Sequence, residues 1–440
     1  ARSAVRHIRF KAVGSAMPRL AACPQLARLV EMRFTGNQLT AEDAATLAVS
    51  PHLRRLAALY LSGNEIGPNG CDALSRSREL AALRELDLAG NDIGARGVEL
   101  LAASPHLEGL TALNLGTNEI GSAGLEALSA SRSLPNLTTL DLWNASLAVP
   151  GLRCLAASKA LSRLEALHIP NNKLGDAGPA ALARSPLLER LVSLDLSFNR
   201  VTATGLRSLL GAPGPRRLRQ LRLRNTAVGA AGAKVLAGAA GLAGLALLDA
   251  AIADLGDQGA ESLAASRSLG ALEELSLEGN GLSPWGVKAV VSSPGLSGLR
   301  ALDLAQNRFG TPGAQALAAF PHLARLRRLD LADNDLGDEG AVALIASKHL
   351  HALRDISLAG NGITDGGARA LAASPFLARL RYLKVARNEL KMSGAVALLT
   401  SPHAARIDQV DLTDNNFDAA EREELRSRFG PRVTVAPPLR

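Results

Sequence analysis

The sequence predicts an α/β solenoid of about fifteen repeats. Each repeat supplies one strand to a parallel β-sheet on the concave face and one α-helix to the convex face of an open horseshoe. Three observations predict this. A motif recurs every 27 residues with no insertion or deletion. Within each unit the apolar period changes from 2 to 3.6, the signature of a strand followed by a helix. Aromatic residues make up only 3% of a chain that is 47% apolar, so many small cores of Leu, Ala, Val and Ile replace a few large ones. A length of 440 residues would otherwise suggest several globular domains.

The repeat is explicit. Leu83-Arg84-Glu85-Leu86-Asp87-Leu88-Ala89-Gly90-Asn91-Asp92-Ile93-Gly94 returns at Leu326–Gly337 and Leu353–Thr364. Its Asn position falls at residues 37, 64, 91 and onward in steps of 27 to residue 415, fifteen positions in all. Asn fills twelve of them, and Ala145, Thr226 and Ala253 are the exceptions. The boundaries expected are an N-terminal cap or partial repeat over 1–28, the solenoid over 29–417 and a C-terminal cap over 418–440.

Each element of the unit has a physical cause. Leu86 and Leu88 alternate with Glu85, Asp87 and Ala89, which reads as a short strand with one buried face. The Asn follows where the chain turns through the interior, and its amide can donate and accept to satisfy backbone groups there. Six residues later Gly appears in thirteen units, from Gly70 to Gly394, either to let helices approach or to relax the turn. The helix after it carries residues such as Gly97, Leu101 and Ala102 and stops near Ser104-Pro105. Ser122, Asp176, Asp257, Asp338 and Asp365 stand where N-caps are expected. Residues 418–440 read as a last helix through Glu424 and Leu425 followed by a strand at Val433-Thr434-Val435. All of these repeated positions read as structural.

With these motifs in hand, the chain resembles the leucine-rich-repeat proteins, specifically the ribonuclease-inhibitor-like class. The wording Leu101-Ala102-Ala103-Ser104-Pro105-His106-Leu107 also resembles bacterial arrays of such repeats. The resemblance covers about residues 20–428 and implies a strand plus a helix in every unit. Strands about 4.8 Å apart and helices roughly 8–10 Å apart require the sheet to lie on the inside of a bend of about 20° per unit.

Charge is unevenly distributed. The net charge is +8, which for a chain of unknown role raises nucleic acid or an anionic surface as partners. The concave strand positions tell against nucleic acid there: they hold 14 acidic and 6 basic residues, so the balance of −8 inside leaves +16 elsewhere. The central inner row contains Asp87, Asp141, Asp195, Asp249, Asp303, Asp330 and Asp411. A local basic run, Arg216-Arg217-Leu218-Arg219-Gln220-Leu221-Arg222-Leu223-Arg224, points only Arg222 and Arg224 inward. These two could receive an acidic group, or be balanced by Asp195 and Asp249.

The few rings mark a candidate partner-binding surface. Trp143, His168 and Phe198 are expected on three consecutive strands, joined by Arg222 and Arg224 and flanked by Tyr60 and Tyr382. Large aromatics on a rigid sheet are the anchors that interfaces use. Leu247, Ala251 and Ile252 extend the apolar character, and incidental repeat drift is the competing explanation.

Enzymatic signatures are absent: there is no H-E-x-x-H, G-x-S-x-G or G-x-x-x-x-G-K-[ST] motif. No cofactor or metal is expected, since only Asp303 and Asp330 are adjacent in the Asp row. Cys23, Cys71 and Cys154 form neither a disulfide framework nor a zinc motif and read as buried reduced thiols in a cytoplasmic protein. Residues 1–7 show no apolar signal segment, and no membrane span is expected. The function expected is a non-catalytic scaffold that binds a protein or peptide on its concave face. The alternatives are an anionic-surface or nucleic-acid binder using the basic convex surface, and a regulator of a GTPase or other enzyme.

Overall fold

The computed structural model describes residues 6–11, 13–211 and 217–435. The chain divides into two compact units, Ala1–Leu221 and Arg222–Arg440. In the first unit, three-residue strands run from His7–Arg9 and Glu31–Arg33 to Ser193–Asp195, each parallel to the next. The second unit repeats the arrangement from Leu247–Asp249 to Gln409–Asp411 and the short strand Val433–Thr434. Arg216 of the basic run and residues 436–440 of the expected C-terminal segment lie outside the described residues.

Register equals repeat length. Glu85 pairs with Ala112, Leu86 with Leu113 and Asp87 with Asn114. Equivalent positions therefore stack in straight rows across the strands. The middle residue of each strand, such as Leu86, Leu113 or Leu302, is buried towards the helices. The helix Gly94–Ala102 buries Gly97, Val98, Leu101 and Ala102 against that layer. Each buried Leu contributes about 2 kcal/mol by removal of apolar surface from water, and the rows multiply that gain without any large aromatic core.

The Asn column performs the role its position suggests. Asn118 Oδ1 accepts from the backbone N–H of Asn91 at 2.9 Å and of Ile93 at 3.3 Å. Its Nδ2 donates to the carbonyls of Leu88, Leu115 and Gly116. One side chain thus satisfies buried groups of its own unit and of the unit before it. A second column lies at the helix ends. In many units a Ser just after the helix donates to the end of the previous helix, as in Ser131 Oγ to Ala102 O and Ser293 Oγ to Ala264 O, both 2.6 Å.

The expected N-caps need correction. Ser122, Asp257, Asp338 and Asp365 lie inside the first turns of their helices, and Asp176 stands at the expected N-cap position but makes no capping bond within its own helix. The carboxylates instead serve the following unit. Asp176 accepts from Thr202 N and Oγ1 at 2.7 Å each, Asp257 from Ser283 N, Ser283 Oγ and Gly286 N, and Asp338 from Thr364 N and Oγ1. Sequence alone hid this because the recipient lies about 26 residues away. Partial burial by itself would raise the Asp176 carboxyl. The Thr202 and Gly205 hydrogen bonds outweigh it and hold the group below its ordinary value. The conserved-spacing Gly residues are explained by close approach and not by a turn: a Cβ at Gly151 would sit 2.7 Å from Ser122 Cα, and one at Gly97 2.7 Å from Ile93 Cβ.

Three outcomes follow for stability. Asn334 accepts from Asn307 N and Arg308 N and donates to Leu304 O and Ala332 O. Asn334→Ala leaves those buried groups unpaired and should cost about 3 kcal/mol in a urea titration. Ala145→Asn, which by the same register restores an acceptor to Asn118 and Ile120, should raise the urea midpoint. Asp176→Ala should cost about 1 kcal/mol at pH 7. Because the folded-state pKa of Asp176 is lowered, this contribution is complete above the unfolded carboxyl pKa and disappears as pH falls through the folded value. Wild type and variant should converge in acid; a difference that persists there would contradict the assignment.

Candidate partner-binding face

The open face of each sheet begins with the central Asp row. These residues are partly committed to backbone. Asp87 accepts from Ala89 N, Asp195 from Ser197 N and Asp330 from Ala332 N, each at 2.9–3.0 Å and two residues on. Asn114 makes the same bond to Gly116 N. The strand ends at this row, and the residues after it form a turn. The one directly before the Asn column is left-handed throughout, with Gly90 at φ 61°, Asn171 at 55° and Asp333 at 56°. Gly, Asn and Asp suit that conformation.

Phe198 and Ile252 occupy the same position at φ 58° and 52°. Neither a bulky ring nor a β-branched side chain favours left-handed backbone, which costs on the order of 1–2 kcal/mol. Both are also exposed, Phe198 at 42% and Ile252 at 38%. Trp143, likewise 42% exposed, lies across Gly116 of the preceding strand, where a Cβ would collide with the indole. His168 stands between Asp141 and Asp195 in the strand register. Its Nε2 is 3.2 Å from Ser193 Oγ and its Nδ1 3.7 Å from Asp141 Oδ2. The first unit therefore brings Trp143, His168 and Phe198 onto three successive rungs, with the two rings in the turns and only His168 within a strand.

Tyr60 is placed differently. The Arg33 guanidinium stacks 3.9 Å from its ring centroid and its hydroxyl donates to Glu85. Glu31 joins Arg33 to His7, completing a chain of contacts across the first four strands. Burial, the Glu85 hydrogen bond and its charge push the Tyr60 phenol up to about 12. Its ring already has an intramolecular cover.

Arg222, Arg224 and Tyr382 belong to the second unit and line one groove of about 610 Å³ on its sheet. Arg224 pairs with Glu278 at 2.6 Å, two rungs away. Burial opposes the Arg224 charge, and Glu278 overcomes that opposition. Two further pairs share the spacing of 54 residues: Arg387 with Asp333 and Arg328 with Glu274. Each spans a rung that carries a small residue, namely Ala251, Gly360 or Ala301. A Cβ at Gly360 would strike the Asp333 carboxylate. Ala251 is fully buried, which corrects the expectation of an exposed Leu247–Ala251–Ile252 stretch. Tyr382 is half exposed.

Sequence reading marked Asp303 and Asp330 as the adjacent pair of the Asp row but missed the groove and its Ser357, because a single row of letters does not reveal which rungs hold buried or unpaired groups. It also missed Trp285, 71% exposed on the helix Pro284–Val291. Among the described residues, no group of three His, Cys, Asp or Glu side chains is arranged to hold a metal, and no helix is long and apolar enough to cross a membrane. Only Cys71 of the three thiols is buried; Cys154 is exposed and Cys23 intermediate, which corrects the reading of all three as buried.

A family model described as Leucine Rich repeat matches residues 49–75, 82–102, 109–129, 191–210, 298–318, 322–344 and 349–372. A search of curated proteins finds no match. Among solved structures, the chain is similar to the yeast Rad7 and Elc1 complex, with 19% identity, coverage of 86% of this chain and 84% of that one, and a TM-score of 0.50. It is also similar to the TLR13–ssRNA13 complex (18% identity, 94% and 63% coverage, TM-score 0.47) and to a Leptospira interrogans LRR protein, LIC12759 (18%, 97% and 99%, 0.43). The 27-residue register, the Asn column and the repeat matches together make this chain a leucine-rich-repeat protein.

Proposed function

We propose that this protein is a non-catalytic scaffold that binds a protein or peptide partner on the open face of its sheet. Phe198 carries the reading. A large apolar side chain stands 42% exposed at a backbone position that disfavours it, in a row otherwise filled mainly by Gly, Asn, Asp and other polar residues. Strain retained at an exposed site signals a use that stability does not supply. Trp143, seated over Gly116, gives a second rigid ring two units earlier, and His168 stands between them. Arg222, Arg224 and Tyr382 serve the corresponding face of the second unit, and Tyr60 supports the first unit through its network with Arg33 and Glu85. The fold supports the reading as well, since the chain of similar fold in the Rad7 and Elc1 complex is found with a protein partner. Three thiols without a disulfide support a reducing, cytoplasmic setting.

The test separates binding from folding. Phe198→Asn relieves the left-handed strain, as Asn171 and Asn225 do at the same position, and should raise stability by about 1 kcal/mol. The same variant, and more strongly Trp143→Ala with Phe198→Asn, should lose partners captured by photo-crosslinking in cell extract. Trp285→Ala, on the helical side, should keep them. Equal capture by wild type and the Trp143/Phe198 double variant would reject this surface.

A further inference from the structure

The groove of the second unit contains a charge arrangement that the scaffold itself leaves unresolved. Asp303 and Asp330 are register partners on adjacent parallel strands, so their carboxylates lie on neighbouring rungs about 4.8 Å apart along the row. Like charges placed side by side in this way destabilise a sheet. Around them the open-face charges are matched by the long ion pairs Arg224–Glu278, Arg328–Glu274 and Arg387–Asp333. Among the described residues, neither Asp303 nor Asp330 forms an ion pair. Arg224 and Arg387 act on them only at longer range, because each guanidinium is held by another carboxylate. Burial pushes the Asp303 carboxyl up, and the charges of Asp330 and Glu278 push in the same direction, against the hydrogen bonds from Ala305 N and Ser276 Oγ.

A second observation lies on the next rung. Ser357 is the register partner of Asp330 and lines the same groove. It is 9% exposed, and its Oγ is buried with no hydrogen-bond partner. A buried hydroxyl left unpaired costs about 1–3 kcal/mol. Two adjacent carboxylates and an unpaired hydroxyl thus follow one another along the row, with Lys384 on the next rung.

We propose that this row receives an arginine side chain from a basic peptide segment of the partner, its guanidinium bridging Asp303 and Asp330 and reaching Ser357 Oγ. This deepens the scaffold reading and rests on it for the existence of a protein partner. A planar guanidinium offers five N–H donors in a fixed fork and can span acceptors on successive rungs, whereas an ammonium is a compact point charge. The groove volume of about 610 Å³ falls within the range of sites that enclose a small ligand. Tyr382, half exposed at its rim, offers a face for a stacked cation.

The experiment uses the full chain and a rhodamine-labelled Gly-Ser peptide with arginine at every third residue, followed by fluorescence anisotropy. Saturable binding is expected, with a shift of the Ile356 methyl signal in the groove floor. Asp303→Asn with Asp330→Asn should weaken it at least about tenfold. These variants keep their backbone bonds, as Asn114 does in the same row of the first unit. Asp87→Asn removes one charge of the same row from that first unit and should change binding less than twofold. Ser357→Ala should weaken binding without lowering the thermal midpoint. A lysine version of the peptide should bind less tightly and a glutamate version not at all. Absence of saturable binding, an equal loss in Asp87→Asn, or wild-type affinity in the Asp303/Asp330 double variant would overturn the proposal. Partner capture through Trp143 and Phe198 is read separately, so this inference can fail while the scaffold reading stands.

Discussion

The structure depends on one requirement: backbone that leaves a strand and crosses the interior must find hydrogen-bond partners away from water. The Asn column meets it, because one amide both accepts from the preceding unit and donates to two units. A partner that must be found one unit away fixes the spacing between units. An insertion of a single residue would displace the amide from Asn91 N and Ile93 N and expose the wrong face of the next strand. The unbroken 27-residue spacing is therefore a consequence of this bond, and the straight side-chain rows on the open face are a consequence of the spacing.

Rows change what an ion pair can be. In an ordinary sheet, opposite charges pair between neighbouring strands. Here Arg224, Arg328 and Arg387 reach two rungs to Glu278, Glu274 and Asp333. Such a span needs a long side chain at one end and a small residue beneath. Ala251, Ala301 and Gly360 supply the space. These pairs remain partly exposed, so each adds little to stability. Their larger effect is on the surface left over: they cover small residues and neutralise charges, and among the described residues they leave Asp303 and Asp330 side by side without an ion pair.

Much of the architecture was legible in the sequence, because period, spacing and the chemistry of Asn report directly on what is buried. The same letters misled where the relevant partner lay one unit away. Asp176 and Asp338 looked like caps of their own helices, and the recipient atoms proved to be Thr202 and Thr364 of the next. For the candidate face, Trp143 and Phe198 could be picked out because rings are rare in this chain. That Phe198 sits on left-handed backbone, or that Tyr60 is covered by Arg33, required coordinates. Asp303 and Asp330 stood in plain view as adjacent letters in a row, but adjacency acquires meaning only with the burial and pairing of their neighbours.

A repeat protein offers an internal comparison that other folds lack, since every position has fourteen counterparts in nearly the same environment. Local rules hold along most rows: Gly or a polar residue at left-handed backbone, a satisfied polar group at the strand end. Phe198 and Ile252 break the first rule, and Ser357 breaks the second. Each departure lowers stability, and each could be removed by a residue already present elsewhere in its row. Sequences retain such departures where function needs them. These three breaks lie on the open face, while the helix Pro186–Arg190 holds a further unpaired buried group, Arg190 Nε. Along the Asn column, Ala145 and Ala253 also depart from the rule, and they stand two residues after the exposed Trp143 and one after the exposed Ile252. The scaffold thus gives up part of its regular bonding beside the same apolar side chains that a partner would contact.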